Sequence, residues 1–269
     1  MGYLESSTLI CRQERGVLTL TMNRAEALNA LTSEMLDALI AALTAAESDD
    51  EVRVVVLTGS GRGFSAGQDL GELNNKEGQF SVETQLRQYY RPLIQRVANF
   101  AKPTIAKING VAAGAGAALA MACDFKLMDR RARFHLAFSQ MGLVLDSGAS
   151  YFLVHALGRT RALELAFFGG SLSAQDALAL GLVNQIAEPG ELDGLTDEWT
   201  ERLVLGPQLA FRLIKQELRQ AEGTSLGEIL ELETAFQIEA QASLDHQRAI
   251  DAFMNKQPNP FGRHVTPPK

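Results

Sequence analysis

Two segments of very small side chains, each directly after a β-type run, are where this sequence could do chemistry. Val52-Arg53-Val54-Val55-Val56-Leu57-Thr58 leads into Gly59-Ser60-Gly61-Arg62-Gly63-Phe64-Ser65-Ala66-Gly67-Gln68-Asp69-Leu70. Roughly fifty positions on, Pro103-Thr104-Ile105-Ala106-Lys107-Ile108-Asn109 leads into Gly110-Val111-Ala112-Ala113-Gly114-Ala115-Gly116-Ala117-Ala118. Side chains this small leave backbone N–H groups open to a ligand. Two such donors aimed at one carbonyl oxygen form an oxyanion hole, which stabilises the charge of an enolate or a tetrahedral intermediate. A third feature is Asp146, which follows Gly142-Leu143-Val144-Leu145 and precedes Ser147-Gly148-Ala149-Ser150. Burial among apolar neighbours raises a carboxylate's pKa and makes it a stronger base. The same residue, placed before a helical run, also reads as an N-cap. Spacing leaves both roles open.

The first loop also matches two other patterns. Gly63-Phe64-Ser65-Ala66-Gly67 fits the G-x-S-x-G nucleophile elbow, but an elbow needs its Ser between a strand and a long helix. Gln68-Asp69-Leu70-Gly71-Glu72-Leu73-Asn74-Asn75 makes a poor helix. Gly61-Arg62-Gly63-Phe64-Ser65-Ala66 fits a dinucleotide fingerprint, which must open a helix and be followed by a strand ending in an acidic residue. Residues 80–100 read as helix instead. His135, His155, His246 and His264 are scattered without metal-ligand spacing, so no metal site is expected.

These residues need a scaffold that alternates strands and helices. Residues 8–22 read as a hairpin turning near Gly16. Leu31 to Ala46 has helical spacing, with Thr32 or Ser33 as N-cap. Further helices are expected at Thr84–Phe100, over a short Ala-rich stretch after the second loop, at Ser147–Ala156 and at Ala162–Phe168. Further strands are expected at 104–108, Phe125–Met128 and Leu182–Ile186. From Leu192 onward nearly everything reads as helix. The pattern is α/β with a helical C-terminal region. Glu188-Pro189-Gly190 and Gly206-Pro207 mark a division into a core over 1–190 and a helical region over 191–269. The Asn74–Gly78 stretch reads as a mobile loop bordering the pocket.

The chain has 269 residues, 46% hydrophobic content and a net charge of −7. That is ample for a core, and with no Lys/Arg block neither nucleic acid nor an anionic membrane is an expected partner. Cys11 and Cys123 make no disulfide framework and fit a reducing cytosol. No basic and apolar leader follows Met1, and no apolar run approaches the roughly twenty residues that span a bilayer. A cytoplasmic location is the expectation.

Phe64-Ser65-Ala66-Gly67-Gln68-Asp69-Leu70 resembles the F-[CS]-A-G-x-D-[LIF] signature of the crotonase family, also called enoyl-CoA hydratase/isomerase. Ile108-Asn109-Gly110 through Gly116, followed by Ala-Leu-Ala-Met-Ala-Cys123-Asp124, resembles the family's second loop. Met22-Asn23-Arg24 through Leu28-Asn29-Ala30-Leu31 resembles its N-R-P-x-x-x-N-A block. Ala132-Arg133-Phe134 with Gly142-Leu143, and Leu172-Ser173-Ala174 through Asn184, fit two more. The resemblance runs from about residue 8 to residue 262.

The resemblance implies a ββα spiral core and a helical C-terminal region that makes homotrimers or hexamers. It implies an acyl-CoA thioester as substrate and no cofactor beyond the coenzyme A that the substrate carries. Carried over, the N–H groups of Gln68 and Ala115 form the oxyanion hole. Arg24, Ala66, Asp69, Leu70, Gly114, Phe138 and Lys256 bind coenzyme A or substrate. The regions around Phe253 and Phe261 join Lys256 in this, in the same or a neighbouring subunit. The family's hydratases place two glutamates around the attacking water, and those positions are Ala118 and Phe138 here. The usual enoyl-CoA isomerase base also falls at Phe138. Asp146 remains, at the position of the acid/base of dienoyl-CoA isomerases and of 1,2-epoxyphenylacetyl-CoA isomerase. Ala137 through Asp146 is most similar to the latter. The aroyl-CoA dehalogenases of the family add a Trp and a His where this chain has Phe138 and Arg91. The implied activity is an acyl-CoA isomerase with a single Asp acid/base. A weak hydratase and a non-catalytic acyl-CoA binder are the alternatives.

Overall fold

A computed structural model describes residues 3, 6–74 and 81–262. Residues 75–80, which hold most of the expected mobile loop, lie outside the described residues, as does His264.

The hairpin forms as β1 (Leu9–Glu14) and β2 (Val17–Met22), closed at Arg15-Gly16 with both residues at positive φ. That is the turn geometry that matches the twist of two antiparallel strands. α1 (Ser33–Glu47) follows, with the Thr32 hydroxyl accepting from the Met35 N–H. Leu31 stays outside the helix and bridges to Gln68 instead.

Next the chain repeats one plan three times: a strand in a large sheet, a three-residue strand in a small sheet, then helix. The first unit is β3 (Val54–Gly59), β4 (Gly63–Ser65), α2 (Leu70–Asn74), α3 (Val82–Gln85) and α4 (Arg91–Asn99). The second is β5 (Thr104–Ile108), β6 (Val111–Ala113) and α5 (Ala115–Ala122). The third is β7 (Phe125–Asp129), β8 (Arg133–His135) and α6 (Ala149–Phe168). β9 (Ser171–Ser173), α7 (Ala174–Ala179) and β10 (Gln185–Ala187) complete both sheets. The large sheet runs β1-β2-β3-β5-β7-β10, parallel from β2 onward, and the small one β4-β6-β8-β9. α8 (Leu192–Leu205), α9 (Gln208–Ala221), α10 (Leu226–Gln241) and α11 (Leu244–Met254) form the helical C-terminal region.

β3 is buried on both faces, as its unbroken run of apolar residues requires. Val55 and Leu57 face the main core under α1, α4 and α5. Val54 and Val56 face a smaller cluster with Ile105, Leu127, Leu192 and Leu203, where Trp199 of α8 packs.

The expected Thr84–Phe100 helix starts two residues earlier, capped by the Ser81 hydroxyl, and widens into a π-turn over Leu86–Tyr90. Pro92 lies just beyond, with no N–H to donate and a ring that crowds the preceding turn, and a wider turn relieves that clash. α6 is one segment with non-helical backbone at Gly158, so the two expected helices meet there. The expected strand at Leu182–Ile186 begins only at Gln185, because the Leu182 and Val183 N–H groups close the turn after α7 by bonding to the Ala177 carbonyl. β4, β6, β8 and β9 carry no sequence signal, being too short to show an alternation.

Candidate active site

The two small-residue loops meet. β4 and β6 pair in parallel, with Gly63 opposite Val111 and Ser65 opposite Ala112. Beyond β4, Gly67 sits at φ +87°, and a Cβ there would lie 2.7 Å from the Ala113 carbonyl oxygen and 3.3 Å from the Ala115 nitrogen. The close approach admits only glycine. It sets Gln68, the next residue, beside Ala115.

Neither the Gln68 nor the Ala115 N–H donates to a partner among the described residues. The neighbours of Gln68 are committed: Leu31 N–H bonds to the Gly67 carbonyl (2.7 Å) and Asp69 N–H to the Leu31 carbonyl (3.1 Å). Ala115 opens α5, and the first N–H groups of a helix have no partner within it. Gly114, at φ +50°, turns the chain into that helix while its own N–H bonds to the His135 carbonyl. The ring of Phe138 covers this turn, 3.8 Å from where a Gly114 side chain would begin.

Asparagine and serine side chains hold the first loop, Asn29 and Ser65 fully buried and Asn109 half-buried. Asn29, itself at φ +56°, donates to the carbonyls of Ser60 (2.9 Å) and Gly63 (2.8 Å). Asn109 donates to those of Gly59 (2.8 Å) and Gly61 (3.0 Å). The Ser65 hydroxyl donates to the Asn29 carbonyl (2.8 Å) and accepts from the Gly67 N–H (3.2 Å). Ser65 is fully buried at the end of a strand, so it is a brace and not a nucleophile. The dinucleotide reading falls with it, since Gly63–Ser65 is strand where that motif needs a helix N-terminus.

Arg24 and Asp69 come together across the loop edge in a 2.5 Å ion pair, and Arg24 also donates to the Ala30 carbonyl (2.8 Å). Burial pulls the Asp69 carboxyl up, but hydrogen bonds from Arg24 and the Gly71 N–H outweigh it and hold the group below the usual carboxylate range. Ala66 is half-buried, and the Leu70 side chain is exposed at the start of α2. Lys256 stands apart, exposed at positive φ after α11, a helix that packs on α10.

Asp146 lies in the turn before α6. The cap reading is corrected here. Gly148 is the N-cap of α6, with no side-chain capping bond, and only the Asp146 main-chain carbonyl serves the helix, accepting from Ala149 N–H (2.9 Å). One oxygen of the Asp146 side chain, Oδ1, is buried without a partner. Burial pushes its pKa up from the ordinary carboxylate value, and the adjacent Ser147 hydroxyl draws it part of the way back. Ser147 is held at φ +51°, a costly conformation for a residue with a side chain. Its hydroxyl lies near the Asp146 carboxyl without making a hydrogen bond of normal geometry, and the phenol of Tyr90 is buried without a partner. Neither Tyr90 nor Ser147 stands out in the sequence. Only their lack of partners marks them.

Ala118 is fully buried in α5, and Phe138 is almost so, so of the three positions only Asp146 carries a titratable side chain. No cluster of metal-ligating side chains exists among the described residues. Among them, too, no helix is long and apolar enough to cross a membrane. A cavity of about 540 Å³ lies elsewhere, between α6 and α9, and no residue of the two loops lines it.

The profile of the enoyl-CoA hydratase/isomerase family matches residues 12–264. The chain belongs to this family. This family member is 38% identical to 1,2-epoxyphenylacetyl-CoA isomerase of Escherichia coli K12 over 255 residues, covering 94% of this chain and 97% of the relative. It is 33% identical to 2,3-dehydroadipyl-CoA hydratase of the same organism, covering 95% and 98%. The crystal structure of an enoyl-CoA hydratase from Polaromonas sp. JS666 superposes with a TM-score of 0.87 at 33% identity, covering 93% of this chain and 98% of that one. Crotonase-type architecture is therefore the fold of this family member, as its sequence blocks led one to expect.

Proposed function

We propose that this chain is an acyl-CoA isomerase that works through a thioester enolate with Asp146 as its single acid/base. The thioester oxygen accepts hydrogen bonds from the Gln68 and Ala115 N–H groups, two rigid donors with no competing partner. Polarised there, the thioester acidifies the proton at Cα or at the vinylogous Cγ. The Asp146 carboxylate takes that proton, and the electron pair of the C–H bond passes into the enolate. The same carboxyl group then returns its proton at a different carbon, so no atom is gained or lost. One base that gives back what it takes suits a double-bond shift, or the rearrangement of an arene epoxide to an oxepin. The second starts from the kind of substrate for which the relative 1,2-epoxyphenylacetyl-CoA isomerase is named.

The observation that carries the reading is the half-buried Asp146 carboxyl, with Oδ1 unpartnered and its pKa raised, where Ala118 and Phe138 offer no proton. On this reading Arg24, Ala66, Asp69 and Leu70 line the coenzyme A side of the site, and Gly114 and Phe138 the acyl side. Lys256 reaches coenzyme A only across a subunit boundary, which fits assembly as homotrimers or hexamers. A cytoplasmic location completes the proposal.

The hydratase names among the relatives favour the second reading, water addition. A panel of 3-enoyl-, epoxyphenylacetyl- and crotonyl-CoA, followed by mass spectrometry, separates them. Isomer formation at constant mass, abolished in Asp146→Asn, is expected. A mass gain of one water on crotonyl-CoA that persists in Asp146→Asn would overturn the isomerase.

A further inference from the structure

Three side-chain polar atoms are buried without a partner among the described residues: the Tyr90 hydroxyl, Asp146 Oδ1 and the Ser147 hydroxyl. Asp146 and Ser147 are adjacent in sequence. Tyr90 belongs with them by packing. Ile94 lies one turn beyond Tyr90 on the same helix face, and its Cγ2 is 3.4 Å from where a side chain on Gly148 would begin. The face that carries Tyr90 is therefore the face that meets the 146–148 turn. Tyr90 is 3% exposed. Burial raises its phenol pKa, and so, in lesser part, does the charge of Asp146, which keeps it a proton donor.

Native folds rarely tolerate a buried polar atom without a partner, and the Tyr90 hydroxyl, on the helix face that packs against the Asp146 turn, asks for one. A hydrocarbon acyl chain seated here would offer nothing to either hydroxyl. Resting on the reading of Asp146 as acid/base, we propose that Tyr90 is a second catalytic residue. Its phenol donates a hydrogen bond to an oxygen carried by the acyl group. The substrate class is thereby narrowed to acyl-CoA thioesters with an epoxide, ether or hydroxyl oxygen near the carbon that Asp146 deprotonates. Tyr90 keeps its proton throughout and stabilises charge that builds on that oxygen. The π-turn ends at Tyr90, so from Tyr90 to Ile94 the spacing is that of a regular helix and the two share a face.

The test is binding of two unreactive ligands that differ by one oxygen, 2-hydroxyphenylacetyl-CoA and phenylacetyl-CoA. Titration calorimetry measures both on the wild-type protein and on Tyr90→Phe. The wild type should prefer the hydroxylated ligand by about tenfold, the worth of one net hydrogen bond. Tyr90→Phe should erase that preference while phenylacetyl-CoA affinity stays within about twofold. Its Tm should equal or exceed that of the wild type, because the hydroxyl it removes has no partner. A preference that survives in Tyr90→Phe overturns the proposal, as does its absence from the wild type. A Tm that falls by several degrees does the same, for the phenol then has a structural partner. Turnover by Asp146→Asn tests the acid/base reading separately, and these binding ratios do not depend on it.

Discussion

In the two small-residue loops the bracing side chains are tied mainly to the backbone. Asn29 and Asn109 hold the carbonyls of residues 59–63, Ser65 is spent on Asn29 and Gly67, and Arg24 is spent on Asp69 and Ala30. What stays open is main chain, the Gln68 and Ala115 N–H groups. In the turn that carries Asp146 the open groups are of another kind. There side-chain atoms are left without partners, Asp146 Oδ1 in the turn and the Tyr90 hydroxyl on a neighbouring helix. The difference separates binding from proton transfer. Donors for a developing oxyanion must be fixed before the reaction, so they are backbone groups braced by buried side chains. A group that takes and returns a proton must be reachable and poorly solvated, so it is a side chain left without partners.

The largest effect is expected at the unpartnered side. Asp146→Asn should lower turnover by about 10²- to 10⁴-fold, measured on whichever thioester of the panel reacts. It should not destabilise the protein at neutral pH. The folded-state pKa of Asp146 lies above its unfolded value, so its contribution to stability is fully present only below the unfolded pKa. That contribution is lost as pH rises through the folded pKa. Asn escapes the loss, so its Tm at pH 7 should match or exceed the wild type, and the gap should close in acid. The wild-type rate should fall on acidification with a midpoint above 3.8, the ordinary carboxylate value. A midpoint at or below it would mean that a different group is the base.

On the braced side, Ala115→Pro deletes one oxyanion donor at the first residue of α5, where proline is tolerated. A loss of about 10²- to 10³-fold in kcat is expected, with the circular dichroism spectrum unchanged. If kcat is kept, the oxyanion is held elsewhere. Asn109→Ala acts on the brace alone. It should cost about 1–3 kcal/mol of stability, read as a lower urea midpoint, by freeing carbonyls of the first loop. The smallest effect belongs to Arg24→Gln. Its ion pair with Asp69 is partly exposed, and a rise in KM of a few-fold, within roughly 1 kcal/mol, with kcat kept, is expected. An equal fall in kcat would place Arg24 with the reacting atoms.

Much of this was legible in the chain itself because it is local. The hairpin at 8–22, the Thr32 cap, the β3 and β5 runs, and the glycines of both loops follow from turn chemistry and from apolar runs of strand length. The four strands of the small sheet were not legible. Each has three residues, and each exists only because another such strand lies beside it. Ser65 shows the same limit. Its neighbours match a nucleophile motif, and only the path of the chain past Asn29 turns its hydroxyl into a brace.

The sequence by itself determined which atoms could serve this protein: small loops that bare N–H groups, and a carboxylate among apolar residues with no glutamate at Ala118 or Phe138. Those are properties of residue type and near neighbours. The tertiary structure alone decided which of them meet and which are left without partners. Gly67 packs against the Ala113–Ala115 backbone from the neighbouring strand's loop, and Ile94, one turn from Tyr90, packs against the Asp146 turn from another helix. Partnership and burial depend on contacts between distant segments, and no local pattern in the chain encodes them.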